Sequence, residues 1–237
     1  MRFEWNERKI DLYVRASRKT EFHKKLAEQI LPYFSKEDEI TDIGCGPGVI
    51  DFELSPFVKS IRAIDIEPII INYLSNEIIS RNASNITTSI GDLEKIEENV
   101  GDVVLFCYFS SISEHMNRII NAAGRLAIII MHGDETVNKS SKISASFRRT
   151  YSSEMENFLI ENGHTYLKKD MVLDFSQPLE SEEEAKEFLE IYCTEEDLIK
   201  RRVKLDEGNN NIKQSDDPQY PYIIPCMKNV AIFIIKK

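Results

Sequence analysis

Short apolar runs rich in β-branched residues alternate with helical segments through the first half of the chain. The apolar runs lie near residues 39–43, 60–65, 86–90, 102–107 and 124–131. Helical stretches lie between them near 49–56, 69–80 and 111–122. Strands that alternate with helices are joined by right-handed crossovers and form a parallel sheet. The pattern therefore predicts a doubly wound α/β fold that binds ligands beyond the carboxyl ends of its strands.

The segments before and after this region also show helical and strand periodicity. Residues 6–34 are predicted to form two helices, because apolar residues recur there at intervals of three and four. Residues 165–175 and 229–235 are predicted to be strands. Two inserted helices are expected between these strands, at about 181–206.

A glycine turn follows the first predicted strand. Gly44, Gly46 and Gly48 come at alternate positions after Asp42, and a helix is predicted to begin at about Val49. Glycine permits φ > 0 and lets a ligand lie against bare main chain, and the unpaired N–H groups of the helix point into the same space. The dinucleotide fingerprint GxGxxG would need Gly or Ala at position 49, so the turn fits that ligand class poorly.

The spacing that does match is DxGxGxG, and with it the sequence resembles the class I S-adenosylmethionine-dependent methyltransferases. The loop form DxGCGxG, with Cys45, is most similar to the broad group that acts on small molecules. Motifs support the resemblance over roughly residues 20–135, and the order of elements supports it beyond. It implies a Rossmann-like methyltransferase fold: a mostly parallel seven-stranded sheet with N-terminal helices and a helical insertion before a last strand, which lies antiparallel between the fifth and sixth.

The resemblance also implies cofactor ligands at the ends of the next two strands. Asp65 would accept hydrogen bonds from both ribose hydroxyls, with Glu67 as the alternative. Asp92 would bind the adenine amine, although a Gly-Asp pair is also common in simple turns. Ile66 and Leu93 would contact the ring faces. The expected cofactor-binding residues are Asp42, Gly44, Cys45, Gly46, Gly48, Asp65, Ile66, Asp92, Leu93 and Tyr13.

Tyr13, Tyr108 and His132 are the candidates for contact with the reacting groups. Tyr13, in the first helix, would offer a positively charged sulfonium a hydroxyl and an aromatic face, and plain packing is the alternative. His132 follows the fifth strand and is the candidate general base, because imidazole titrates near neutral pH. A solvent-facing loop histidine is an equal alternative. Tyr108 follows the fourth strand, where it would orient the acceptor.

Composition narrows the class of partner. The net charge is -10, which argues against a protein that grips nucleic acid through its phosphates, and the Asn/Asp-Pro-Pro-aromatic motif of enzymes acting on base amines is missing after the fourth strand. Cysteines stand at positions 45, 107, 193 and 226 without a CxxC pair, so no metal site is expected. No apolar run approaches the ~20 residues of a membrane span, and we expect a soluble, cytoplasmic protein.

The sequence thus predicts one methyltransferase domain over residues 1–237. N-terminal helices occupy 1–38, the cofactor-binding half 39–135, and the substrate-side half 136–237, with a helical insertion at about 181–225. The expected reaction is direct in-line transfer of a methyl group from S-adenosyl-L-methionine to a small-molecule acceptor, leaving S-adenosyl-L-homocysteine. The alternatives are a methyltransferase acting on protein or RNA and a non-catalytic S-adenosylmethionine-binding regulatory protein.

Only a charge pattern in the insertion bears on the chemical nature of the acceptor. Glu182, Glu183 and Glu184, together with Tyr220 and Tyr222, would suit a cationic or amine-bearing acceptor. A solvated acidic helix face is the alternative.

Overall fold

The computed structural model of the chain describes residues 4–96, 98–109, 112–134, 151–192 and 212–237. Its strands are β1 Glu39–Ile43, β2 Ser60–Asp65, β3 Ile86–Ile90, β4 Gly101–Cys107, β5 Ala123–His132, β6 Tyr166–Asp174, β7 Gln177–Leu179, β8 Lys213–Gln214, β9 Tyr222–Ile224 and β10 Met227–Lys236. Its α-helices are α1 Glu7–Thr20, α2 Phe22–Ile30, α3 Val49–Leu54, α4 Pro68–Arg81, α5 Ile112–Ala122, α6 Ser152–Glu161 and α7 Glu182–Tyr192.

The main sheet has seven strands in the order β3-β2-β1-β4-β5-β10-β6. The pairings from β3 through β5 are parallel. Strand β10 runs antiparallel to both of its neighbours, so that Ile232 lies opposite Ile130 on β5 and Lys169 on β6. The predicted doubly wound, mostly parallel seven-stranded sheet is confirmed, and so is the antiparallel insertion of the last strand.

Two apolar layers enclose the central strands. On β4, Val103 and Leu105 pack with α2 and α3, whereas Val104 and Phe106 pack on the opposite face with α5 and α6. A strand covered on both faces needs apolar residues at every position, not at alternate ones. This is why the strands were recognisable in the sequence as short continuous apolar runs.

The insertion contains one helix of the predicted pair, α7, together with strands that were not predicted. The rest of the predicted pair, which extends to about residue 206, lies outside the described residues. The short strands β7, β9 and β8 form a separate three-stranded sheet that the sequence pattern did not predict. Strands of two or three residues are too short to show a periodicity. Together α7 and this small sheet form what we call the cap.

Helix α1 lies between the main sheet and the cap. Its Ile10 and Val14 pack with Cys45 of the glycine turn, while Leu12 packs with Phe188 of α7 in the cap. Because one helix contacts both bodies, the position of the cap is tied to that of the glycine turn. Within the described parts of the chain, no helix is long and apolar enough to cross a bilayer.

Candidate functional site

The glycine turn connects β1 to α3 at the carboxyl edge of the sheet. Gly44, Gly46 and Gly48 have φ angles of 74°, 53° and 65°, a left-handed region that side chains disfavour. The amides of Gly44 and Cys45 donate to the carbonyl of Ile64 on β2, at 2.8 and 3.1 Å. The turn is therefore fixed against the end of the neighbouring strand.

The three glycines face different surroundings. A Cβ on Gly44 would lie 2.5 Å from Cδ2 of Phe109, and one on Gly48 would lie 2.6 Å from Cδ1 of Leu74. A Cβ on Gly46 would meet only the Trp5 ring, at an ordinary 3.6 Å, among the described residues. Gly44 and Gly48 are thus required by packing, whereas Gly46 is buried beneath the Trp5 ring without a close clash.

Asp65 ends β2 directly beside this main chain. Its Oδ2 accepts a hydrogen bond from the Gly46 amide at 3.0 Å, and its Oδ1 accepts one from the Glu67 amide at 2.9 Å. The residue is 8% exposed. A carboxylate has about four acceptor positions, so Asp65 holds the turn and keeps capacity for further donors. The Glu67 side chain makes no comparable contact with the turn among the described hydrogen bonds.

Asp92 lies at the end of β3, on the same edge of the sheet. Its Oδ1 accepts from the Glu94 amide at 3.1 Å, and the preceding Gly91 amide donates to the Asp65 carbonyl at 3.0 Å. Ile66 is partly exposed next to Asp65, whereas Leu93 is 4% exposed and packs with Ile43 in the core. The structure brings the predicted acids of β2 and β3 together and puts Leu93 mainly in the interior.

Two fully buried carboxyls lie beneath the glycine turn. Asp42 on β1 and Asp51 on α3 are both 0% exposed. Burial, followed by the charge of Asp51, raises the pKa of Asp42 well above its usual value, and burial raises the pKa of Asp51 to about 7. Sequence reasoning missed Asp51, although an acid on the helix that follows the last glycine, where an apolar residue would suit the core, was the available signal.

Tyr13 of α1 lies between the glycine turn and the other side of the site. Its ring is edge-on to Trp5 and to Phe175, with centroids 5.4 Å away in both cases. Its hydroxyl is 2.9 Å from Nε2 of His23, whose Nδ1 is 2.5 Å from Oγ of Ser17. Burial and then the charge of Lys228 lower the pKa of His23 to about 3, so this imidazole is neutral.

The other side of the site is aromatic. Tyr108 follows β4 with a φ of 55°, a strained conformation for a large side chain. Its ring lies 4.9 Å from that of His132, centroid to centroid. The ammonium of Lys228 on β10 lies over three rings, at 3.7 Å from the centroid of Phe175, 5.0 Å from that of Tyr108 and 5.2 Å from that of Phe22.

The structure therefore brings the two predicted catalytic residues, Tyr108 and His132, into contact. Sequence reasoning missed Phe175 and Lys228, which lie after β6 and on β10. A lysine near the start of an otherwise apolar final strand was the signal for Lys228. The acidic run of α7 is used differently from the cationic subsite considered above, because Glu184 accepts hydrogen bonds from Arg8 at 2.7 Å and from Arg15 at 2.8 Å.

Several solved structures resemble this one. Phosphoethanolamine N-methyltransferase 2 of Haemonchus contortus, in complex with phosphomonomethylethanolamine and S-adenosylhomocysteine, is 14% identical with a TM-score of 0.61, over 100% of this chain and 59% of that chain. The YcgJ protein of Bacillus subtilis is 16% identical with a TM-score of 0.59, over 89% and 97% of the two chains. The 4+2 cyclase SpnF is 11% identical with a TM-score of 0.61, over 90% and 80%.

No protein-family model and no curated protein sequence matches the chain. Several of the structural neighbours are named as methyltransferases, and the expected Rossmann-like methyltransferase fold is confirmed. At these identities the likeness concerns the fold alone. A cyclase among the neighbours also shows that one fold carries more than one reaction.

Proposed function

We propose that this chain is an S-adenosyl-L-methionine-dependent methyltransferase that methylates a small-molecule acceptor by direct in-line displacement. The observation that carries the proposal is the carboxylate of Asp65, which accepts a hydrogen bond from the amide of Gly46 at 3.0 Å, in a turn whose glycine main chain carries no side chains of its own. This pairing of bare main chain with a carboxylate suits a ligand that carries both an extended chain and a ribose diol.

The residues at this edge fit the proposed cofactor. Gly44, Gly46 and Gly48, with Cys45, would lie along its methionine part, and the free acceptor positions of Asp65 would take the ribose hydroxyls. Asp92 would accept from the adenine amine, with Ile66 and, to the extent that it is exposed, Leu93 against the ring. Asp42 would support the turn from beneath, two residues before Gly44. Tyr13 would offer the sulfonium its ring face.

The cofactor supplies a methyl group that is already activated, so the chain mainly has to align an acceptor with it. The acceptor's nucleophilic atom would form a bond to the methyl carbon as the carbon–sulfur bond breaks. An acceptor that must lose a proton would pass it to a ring nitrogen of His132. Tyr108, whose ring is 4.9 Å from that of His132, would hold the acceptor against this base.

Two observations favour a small acceptor over a macromolecule. The net charge of -10 opposes binding through phosphates. The similar protein from Haemonchus contortus is named for a small phosphate-bearing amine. Labelled S-adenosyl-L-methionine incubated with a fractionated cell extract should label the metabolite fraction, whereas label in the protein or RNA fraction would support the alternative acceptors.

Calorimetry with S-adenosyl-L-homocysteine tests the cofactor half of the proposal. Asp65→Ala removes a charged acceptor of hydrogen bonds and should weaken binding by roughly 100-fold. Asp102→Ala is the matched control, because Asp102 lies at the opposite end of the strands and accepts from the Glu39 amide there. Unchanged binding by Asp65→Ala would remove this residue from the site, and no binding by the wild type would contradict the cofactor.

A further inference from the structure

The proposed reaction gives no task to the buried carboxyl of Asp51, which lies beside that of Asp42. All four of their oxygens lack a hydrogen-bond donor among the described residues, and both residues are 0% exposed. The two carboxyls lie within hydrogen-bonding reach of each other. Two carboxylates can bond to one another only if a proton lies between them.

Among the described residues, no cation is bound to this pair. No described ion pair involves Asp42 or Asp51. The titratable groups that interact electrostatically with Asp42 are acidic or neutral: Asp51, Asp65, Cys45, Cys107 and Tyr13. Two adjacent buried negative charges without a cation are strongly unfavourable. A single retained proton converts their repulsion into a short, charge-assisted hydrogen bond.

The pair also lies at a mechanically important place. Asp42 is on β1, two residues before Gly44, and Asp51 is on α3, three residues after Gly48. Oδ2 of Asp51 is 3.2 Å from the position that a Cβ on Gly48 would occupy, so the carboxyl lies directly against the turn. A bond between these side chains joins the two ends of the turn.

We propose that Asp51 is a positioning residue of the glycine turn: it holds a shared proton with Asp42, and the resulting hydrogen bond keeps Gly46 presented to the cofactor. The ligand-binding part of this inference rests on the function proposed above. The proton-sharing part does not, since it concerns the protein without ligand.

Binding of S-adenosyl-L-homocysteine at pH 7.5 tests the positioning role. Asp51→Asn keeps a donor toward Asp42, and we expect its affinity to stay within about threefold of wild type. Asp51→Ala removes the bond, and we expect affinity to fall roughly 10-fold. Equal loss in both variants, or no loss in Asp51→Ala, would overturn the positioning role. No binding by wild type would instead contradict the proposed function.

Thermal unfolding without ligand, from pH 4.5 to 8, tests the shared proton. The pKa of Asp51 is about 7 in the folded protein, above the ~3.9 of an unfolded aspartate. The folded state therefore binds the proton more tightly, and the stability of wild type relative to Asp51→Asn should fall as pH rises through this window. A difference that does not change with pH would overturn the inference.

Carbon-13 NMR of the aspartate carboxyls in the wild type provides a measurement that needs no variant. At least one carboxyl should titrate near pH 7 or above, whereas surface aspartates titrate near ~4. Should Asp51→Asn not fold, this spectrum decides alone. A protein in which every aspartate titrates below pH 5 has no shared proton.

Discussion

The two sides of the carboxyl edge of the sheet are formed by different kinds of chemical group. On the side of β2 and β3, the site consists of main chain and carboxylates, with Gly46 and Asp65 joined by a 3.0 Å hydrogen bond. On the side of β4, β5 and β10, it consists of rings around a cation, with Lys228 over Phe175 at 3.7 Å and His132 against Tyr108 at 4.9 Å. After the reaction proposed above, we call these the donor half and the acceptor half.

The difference determines how freely the amino-acid sequence of each half can vary. The donor half depends on φ angles and on carboxylates at strand ends, so its glycines have almost no acceptable substitutes. The acceptor half depends on side chains that come from α2, β4, β5, β10 and the segment after β6. Side chains at strand ends and in connecting segments vary more freely than a turn that depends on positive φ angles. A fold of this kind can therefore keep one cofactor while its acceptors, and even its reactions, diverge.

The largest expected effect is in the acceptor half, at His132. His132→Ala should reduce methyl transfer to a proton-bearing acceptor by about 10²–10⁴-fold, because it removes the proposed base. Binding of S-adenosyl-L-homocysteine should be unchanged, since the donor half is intact. Single-turnover rates and calorimetry on the same preparation separate the two quantities. An undiminished rate with the true acceptor would show that His132 is not the base.

The donor half is tested by Gly44→Ala, with Gly163→Ala as the matched control. Both glycines have positive φ, 74° and 70°, so each alanine carries about 1–2 kcal/mol of backbone strain. Only at position 44 does the new Cβ meet another group, Cδ2 of Phe109 at 2.5 Å, while nothing lies within 4 Å at position 163.

Gly44→Ala should therefore lose roughly 100-fold in affinity for S-adenosyl-L-homocysteine by displacing the turn. Gly163→Ala should show only the strain, as a lower midpoint of thermal unfolding with normal binding. Calorimetry measures the affinity of each variant, and thermal unfolding measures its loss of stability. If the two variants bind equally well, the close packing at Gly44 does not shape the donor half.

The same contrast explains what the sequence could and could not predict. The glycine turn, Asp65 and Asp92 lie at the ends of strands that the apolar pattern locates, and parallel strands bring such ends together. Lys228 and Phe175 join the site because β10 inserts between β5 and β6. The family resemblance predicted this insertion, but no local pattern showed which side chains it would bring to the site. The only sequence signal for Asp51 is one acidic residue in a predicted helix. Its pairing with Asp42 becomes apparent only when the conformation of the glycine turn is known.

Helix α1 serves both halves through Tyr13, and Glu184 tests its attachment to the cap. Burial acts to raise the pKa of Glu184, but the Glu180 amide, Arg8 and Arg15 outweigh it and lower this pKa. Glu184→Ala should destabilise the protein by about 1–3 kcal/mol, and it should weaken the binding of both the cofactor and the acceptor. Glu187→Ala, whose side chain is 49% exposed beside the same Arg8, should cost only ~0–1 kcal/mol.

Urea unfolding of both Glu variants measures this difference. The stability that Glu184 contributes is present above the ~4.3 of an unfolded glutamate and is lost as pH falls through its lower folded pKa. The gap between wild type and Glu184→Ala should accordingly close below pH 4. A gap of equal size in Glu187→Ala would mean that the exposed carboxylate, not the buried one, holds α1.

The smallest expected effect concerns the charge inside the acceptor half. Lys228→Met keeps the length of the side chain but removes the positive charge that is the second cause of the low pKa of His23, about 3. Loss of a nearby cation favours the imidazolium, so this pKa should rise. It should stay below the ordinary ~6.5, because burial, the larger cause, remains.

Lys236→Met, at the exposed end of the same strand, is the control and should leave the pKa of His23 unchanged. NMR titration of the imidazole measures both, and an unmoved His23 in Lys228→Met would mean that the Lys228 ammonium does not lie within the rings of the acceptor half.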